Sequence, residues 1–419
     1  MSSWSTTSPM PLSNTLQNEP EGRVDFDFDA DQKAFIKEVR EFLEDVRQWP
    51  DAADIMCPER ESDSILADTP ARKRFNRELA RRGYLGLSWP REYGGQGRPG
   101  IYEYLLNEEL SRVGAPLIGK GVGCVGQTLI RHGSDKLKSE FLPRILKAEI
   151  EFALGYTEPH AGSDLAALRL RADRVENGWM LNGQKMFTTS AHFADWYWLA
   201  ARTDFDAPKH KGISLFLLPM DQPRITIHPI ETMGEHVTNQ VFLDNVFVGD
   251  DYVVGELNKG WLYICEALDY ERFTFYTFSP LEEKLKALRA LLSAKADDRR
   301  AIADRPHVRR RLARLTSEVE LSKMLQRRVV HAASQNRVPT IEAAMCKLYS
   351  TSLHQRLADF ALDSLGLDGL LHKGDPKAPA VGKWEWSYRA TALDTIGAGS
   401  SEVQRNIIAR RHLDLPLRF

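Results

Sequence analysis

The spacing of apolar residues changes twice along this chain of 419 residues, and those changes limit the folds open to it. From Asp29, the residues Phe35, Ile36, Val39, Phe42, Leu43 and Val46 recur at steps of one, three and four, the mark of one buried helical face. Ala71 to Arg82, Tyr102 to Arg112 and Lys136 to Lys147 repeat the pattern, with breaks at Trp89-Pro90 and Tyr93-Gly94-Gly95. Between about 151 and 255 the period falls to two, as in WMLNGQKMFTTS, where Asn182-Gly183 is predicted to be a hairpin turn. ISLFLLP, ITIHPI and VTNQVFLDNVFV follow as strands, enough for a small barrel or sandwich. After Gly260 helical spacing returns over 261–278, 279–296 and 307–336, then from Thr340 to Leu365, from Trp384 to Leu393, and in SSEVQRNIIARRHL. The predicted class is α+β, mainly α: an arm at 1–24 rich in Ser, Thr, Pro and Asn, a helical domain at 25–150, a β domain at 151–255 and a second helical domain at 256–419. There is no βαβ alternation and no G-x-G-x-x-G after a strand, which argues against a dinucleotide-binding parallel sheet.

Composition excludes several functions. With 56 basic and 58 acidic side chains the net charge is -2, so there is no single-signed field to grip nucleic acid or an anionic membrane surface. Cys57, Cys124, Cys265 and Cys346 never form C-x-x-C, which disfavours a zinc site, a disulfide scaffold and a redox dithiol. His132, His160, His192 and His210 are scattered, so no metal is expected. The longest apolar stretch, Ile213 to Pro219, is too short to cross a bilayer, and MSSWSTTSPM carries no leader pattern. The expectation is a soluble, untargeted, cytoplasmic protein.

LGYTEPHAGSD, from Leu154 to Asp164, joins the first helices to the strands. Its small residues and hydroxyls suit a flat polar ring or a phosphate approached closely by the chain, although an ordinary Gly/Ser/Pro turn has the same composition. Together with GYLGLSWPREYGGQG at 83–97, LNGQKMFTTS at 181–190 and IGAGSSEVQRNIIARRHL at 396–413, it resembles the acyl-CoA dehydrogenase family, motif by motif and in order, over about residues 28 to 416. The resemblance implies a fold in which the C-terminal helices form a four-helix bundle, and an FAD enzyme that oxidises an acyl-CoA to the trans-2-enoyl-CoA and passes electrons to an electron-transfer flavoprotein. It places flavin contacts at Leu154, Tyr156, Thr157, Gly162, Ser163, Phe187, Thr188 and Thr189, with Ser400 and Glu402 in the last motif. Ser163, Arg272, Ala398 and Gly399 are implied on the substrate side. Thr hydroxyls and backbone N–H groups can satisfy the isoalloxazine edge and Phe187 can cover one face, unless it is simply a buried strand aromatic.

The reaction needs a carboxylate to take the proton α to the thioester, and donors for the enolate-like oxygen. Many family members carry that Glu before the glycine of the last motif, where this chain has Ala398. Others carry it on the helix after the strands, where this chain reads Leu268-Asp269-Tyr270-Glu271-Arg272, so Glu271 is the candidate base. A solvated Glu-Arg pair is the competing reading. The backbone N–H at 398, which family members use against the thioester oxygen, survives the change to alanine. Other departures bear on FAD: the R-x-x-F-G string is missing after Phe278, Asp363 to Gly369 replaces a Q-x-x-G-G-x-G stretch, and Glu402 stands where Gln is common. The basic run 299–314 could meet phosphates or be a solvated helix face. A homo-oligomer is expected. A complementing subunit of a mixed oligomer and a flavin monooxygenase on the same fold are the rivals, the latter opposed by Glu271.

Overall fold

A computed structural model describes residues 28–57, 66–275, 277–294, 301–334 and 339–416; the side chains of 269–275 and 333–334 are outside the description. The arm expected at 1–24 therefore lies outside the described residues. The first part consists of α1 (Ala30–Val46), α2 (Ala52–Ile55), α3 (Pro70–Arg81), α4 (Ile101–Arg112), α5 (Gln127–His132) and α6 (Asp135–Leu146). α1 starts where the sequence says it should, because Asp29 accepts from Gln32 N at 2.8 Å while Gln32 caps Asp29 N in return. α4 is buried along nearly its whole length, so helices pack around it on all sides.

The strands are β1 (Phe152–Gly155), β2 (Arg171–Val175), β3 (Gly178–Lys185), β4 (Trp196–Arg202), β5 (Ile213–Pro219), β6 (Ile225–Glu231), β7 (Val237–Gly249) and β8 (Val253–Val254). They form one sheet in the order β6-β7-β3-β2-β4-β5-β8, antiparallel except where β1 and the end of β2 meet β4. The sheet curls, bringing Trp179 of β3 within 6.0 Å of Phe216 of β5. Alternate residues of β4 and β5 serve two cores. Tyr197, Leu199, Phe216 and Leu218 fill the curl, while Trp198, Ala200, Leu215 and Leu217 pack against the helices.

One expectation is corrected here. Asn182-Gly183 does not turn the chain; it lies within β3 as a bulge opposite β7, with Gly183 at φ +140°. The hairpin between β2 and β3 turns at Glu176 and Asn177, the latter at φ +57°. The sequence holds Asn-Gly at both 177–178 and 182–183, and only cross-strand pairing distinguishes a turn from a bulge.

After the sheet come α7 (Gly260–Phe275), α8 (Ser279–Ser293), α9 (Pro306–Ser334), α10 (Thr340–Leu365), α11 (Lys383–Ala390) and α12 (Ser401–Arg411). Leu285, Leu288, Val319, Leu353, Leu357 and Trp384 form the core of this bundle. The buried Glu108 of α4 caps α8, accepting from Phe278 N at 2.9 Å and Ser279 N at 2.7 Å, and so locks the first helices to the last.

Candidate active site

A cavity of about 790 Å³ opens where the three parts meet. Its lining comes from the loop after β1, the β3–β4 connection, one face of α7, and the turn before α12. Each region is held by contacts that the motifs alone do not reveal.

The loop after β1 is tied down by a buried ion pair. Lys185, the last residue of β3, lies 2.8 Å from Glu158 and also donates to the carbonyl of Tyr156 at 3.0 Å. The Glu158 carboxylate accepts from Arg169 N at 2.7 Å and Leu170 N at 2.9 Å. Burial pushes the Lys185 ammonium down to about 8, with Glu158 opposing the shift. Glu158 and Ala161 exchange backbone hydrogen bonds, closing a tight turn that projects Gly162 and Ser163 at the cavity. A Cβ at Gly162 would meet nothing within 4 Å, so the glycine serves the cavity and not the packing of the chain. His160 lies at the tip of this turn, with its half-exposed ring 3.4 Å from Glu158.

The β3–β4 connection carries Phe187 at φ +55° and 58% exposed, between a buried Lys185 and a buried Thr188. A large aromatic left exposed on a strained backbone is suited to covering a flat ring. Asn239 fixes the residue beside it: Thr188 N donates to Asn239 O, and Asn239 Nδ2 donates to Thr188 O, both at 2.9 Å. Thr189 lines the cavity and its hydroxyl meets that of Thr238 at 3.3 Å.

Before α12, Ala398 adopts φ +50° and Gly399 φ +91°. The buried Lys347 of α10 holds this turn by donating to the carbonyls of Asp394 at 3.2 Å, Gly397 at 2.8 Å and Gly399 at 2.7 Å. In a trans peptide the N–H opposes the carbonyl, so the Gly397 carbonyl on Lys347 turns the Ala398 N–H away from it. Ser400 caps α12 through Val403 N at 3.4 Å.

Of the residues singled out in the sequence, the cavity gathers Leu154, Tyr156, Thr157, Gly162, Ser163, Phe187, Thr189, Ala398, Gly399 and Ser400. Thr188 and Glu402 are not in its lining. The Thr188 hydroxyl shares a hydrogen bond with Tyr197 at 3.2 Å inside the β core. The exposed Glu402 faces Arg405 at 3.6 Å. Glu271 and Arg272 lie on α7, which lines the cavity with Trp261, Cys265 and Leu268, but their side chains are outside the described residues. Arg311, from the basic run, pairs with Asp359 at 3.0 Å and Asp363 at 2.8 Å.

Sequence reasoning missed Lys347, the Glu158–Lys185 pair and a polar wall made by Asn76, Lys120 and Glu151. A lysine inside the apolar string AAMCKLY was a usable signal for Lys347. Lys120 donates to Thr189 O at 3.0 Å and Ser190 Oγ at 2.9 Å. Burial pushes Glu151 up to about 7, against the pull of Lys120 and Lys73 and the Asn76 hydrogen bond, while Asp195 adds to the rise.

The lining residues fit a flavin: an exposed aromatic for the ring face, open space at Gly162, and hydroxyls and turns facing the same cavity. Among the described residues no cluster of His, Cys, Asp or Glu is placed to hold a metal, and no helix is long and apolar enough to cross a membrane.

Comparison with known proteins agrees with this layout. Sequence profiles described as the acyl-CoA dehydrogenase N-terminal, middle and C-terminal domains match residues 29–149, 153–246 and 258–413. Acyl-CoA dehydrogenase FadE29 of Mycobacterium tuberculosis is 33% identical over 392 residues, covering 93% of this chain and 98% of that protein. The solved structure of the Tcur3481-Tcur3483 steroid ACAD superposes with a TM-score of 0.83 at 33% identity, over 94% of this chain and 100% of that one. The ChsE4-ChsE5 complex from Mycobacterium tuberculosis gives 0.82 at 31%, over 95% and 100%.

Proposed function

The chain belongs to the acyl-CoA dehydrogenase family, and from that premise we propose that it takes the α proton of a bulky, ring-bearing acyl-CoA onto Glu271 and yields the trans-2-enoyl-CoA. The observation that carries this reading is the alanine at 398. It lines the cavity without a carboxylate, while α7 lines the same cavity up to Leu268, three residues before Glu271. Residues three apart on a helix are neighbours on its surface, which supports Glu271 as the base. One structural neighbour is named a steroid ACAD, and that supports the ring-bearing substrate.

Bound FAD would supply the acceptor for the β hydride, and the two electrons it gains would pass on to an electron-transfer flavoprotein, with the protons released to solvent. In our reading Phe187 covers one ring face, while Thr157, Ser163, Thr189 and Ser400 donate to its polar edges beside Leu154, Tyr156 and Gly162. Arg272, Ser163 and Gly399 contact the acyl-CoA. The Ala398 N–H, turned from Lys347 by the peptide plane, donates to the thioester oxygen as negative charge develops there. A water-poor cavity raises the pKa of a carboxylate base toward working pH.

The test is anaerobic addition of an acyl-CoA panel to the FAD-loaded protein. Wild type should lose its flavin colour with a ring-bearing thioester, and Glu271→Gln should keep both FAD and colour, with a rate lower by about a thousandfold or more. Equal bleaching in the two would remove Glu271 as base.

A second reading, a mixed oligomer, is favoured by the end of α10. There Asp363 is engaged by Arg311 and Leu367 is 84% exposed, in the stretch that departs from the family pattern. Two structural neighbours are also named as pairs of proteins, Tcur3481 with Tcur3483 and ChsE4 with ChsE5. A homo-oligomer binding one FAD per chain when purified alone would set this reading aside.

A further inference from the structure

The β3–β4 connection is held in a shape that its own residues do not favour. Phe187 at φ +55° and Ser190 at φ +77° both occupy the left-handed region without being glycine. Such backbone persists only where the surroundings over-determine it. One support belongs to the sheet: Asn239 of β7 bonds Thr188 in both directions. The other crosses from the first helical part. Lys120 Nζ donates to Thr189 O at 3.0 Å and to Ser190 Oγ at 2.9 Å. Ser190 is buried, and its carbonyl accepts from Phe193 N at 3.0 Å and Ala194 N at 2.9 Å, so the grip passes along the connection. Lys120 is suited to this hold. It stands directly before the buried π-helical segment Gly121–Gly126, which fixes its backbone. Burial raises the Glu151 carboxyl, and Lys120 and then Lys73 pull it back toward ionisation, an attraction that the Lys120 ammonium shares. Lys73 of α3 also sits 5.9 Å over the Phe193 ring, farther along the same connection. An ammonium with two protein acceptors and a neighbouring carboxyl holds the chain and is not left to seize a free anion.

We propose that Lys120 is a positioning residue for the ring end of the flavin: by holding Thr189 O and Ser190 Oγ it fixes the turn on which Phe187 and Thr189 stand. Thr189 is the point of leverage. Its carbonyl is on Lys120, its N–H is on Phe187 O at 3.0 Å, and its hydroxyl lies 3.3 Å from that of Thr238, at the cavity. Without the lysine, the Thr189–Ser190 peptide is free to turn over and relieve the positive φ of Ser190. Asn239 still holds Thr188, so the sheet keeps its pairing while the cavity side of the turn changes. The effect of losing Lys120 is therefore local, and it reaches the flavin through Phe187 and Thr189.

Phe187 and Thr189 contact the flavin in the reading proposed above, on which this inference rests, and the experiment separates the two. FAD release from the full-length holoprotein is followed by the rise of flavin fluorescence on dilution, and visible circular dichroism reports the surroundings of the bound ring. Lys120→Met should release FAD about tenfold faster and alter the visible bands, as the loss of hydrogen bonds from a charged donor would. Ser190→Ala removes one of the two acceptors and should give about threefold, with the bands altered in the same sense. Adding Ser190→Ala to Lys120→Met should accelerate release no further, because both act through one contact, whereas a lysine that only supports the fold would give multiplied effects. Unchanged release and bands in Lys120→Met, or multiplied effects in the double variant, overturn the inference while the flavin reading stands. If Lys120→Met does not fold by far-UV circular dichroism, Ser190→Ala decides alone, and wild-type release and bands in it overturn the inference. Phe187→Ala with wild-type release and bands, or a wild-type protein that takes up no FAD, overturns the flavin assignment and this inference together.

Discussion

Lys347 illustrates how a single side chain can set a site that it does not line. Its ammonium gathers the carbonyls of Asp394, Gly397 and Gly399, and so presets the positive φ of Ala398. Lys347→Met removes the donor and leaves three carbonyls to find water or rearrange. We expect kcat in the bleaching assay to fall by roughly 100-fold or more, in the range seen when an oxyanion donor is lost. FAD content should be retained, because Phe187, Thr157 and Ser163 stand on other elements. An unchanged kcat would show that the turn keeps its shape without the lysine. The residues that the sequence singles out and the cavity gathers, such as Thr157, Ser163 and Phe187, share short strings whose local geometry carries the pattern. Lys347 and Ala398 are 51 positions apart in the chain by their numbers, and nothing in either string announces the other. The Glu158–Lys185 pair was hidden for a related reason: Glu158 stands in the first motif, but its partner is the last residue of a strand that reads as ordinary alternation.

At the scale of elements, most helical periods were legible almost to the residue, because burial on one face imposes them. α1, α3, α4, α6 and α10 begin and end within a residue or two of where the apolar spacing does. The segment Gly121–Gly126 was not legible. Its glycines suggest a loop, yet it is buried π-helix leading into α5. The reason is the Trp89 indole: a Cβ on Gly126 would sit 2.1 Å from Trp89 Cζ2 and 2.9 Å from Gly121 O. Gly126→Ala should therefore destabilise the protein by roughly 2 kcal/mol, the cost of overpacking outweighing the usual helical gain of alanine. A thermal melt checks this, and a raised Tm would mean that the indole can move aside. The bulge at Gly183 teaches the same lesson in a strand, since its role depends on β7 and not on its neighbours in sequence.

At the scale of the whole molecule, the described residues form three cores, but one of them joins all the parts. Leu106 and Phe141 of the first helices, Trp198 and Leu215 of the sheet, Tyr263 of α7 and Cys346 of α10 belong to a single cluster. Polar locks cross the same boundaries: Glu108 on α8, His132 with Glu266 at 2.8 Å, and Trp386 donating to Gly234 O at 2.9 Å. The FAD-loaded protein is accordingly expected to unfold as one unit, with far-UV circular dichroism, tryptophan fluorescence and flavin release sharing one midpoint. Release of the sheet or the bundle several degrees before the rest would show that the shared core does not couple them. The sequence by itself determined the order of helices, strands and helices, the family motifs, and the missing carboxylate at Ala398, because periodicity and short strings are local properties. Only the tertiary structure decided which side chains share a cavity: the lysine behind the Ala398 turn, the ion pair under the first motif, and the polar wall of Asn76, Lys120 and Glu151. Those contacts join positions distant in the chain, and the packing that brings them together leaves no spacing in the sequence to read.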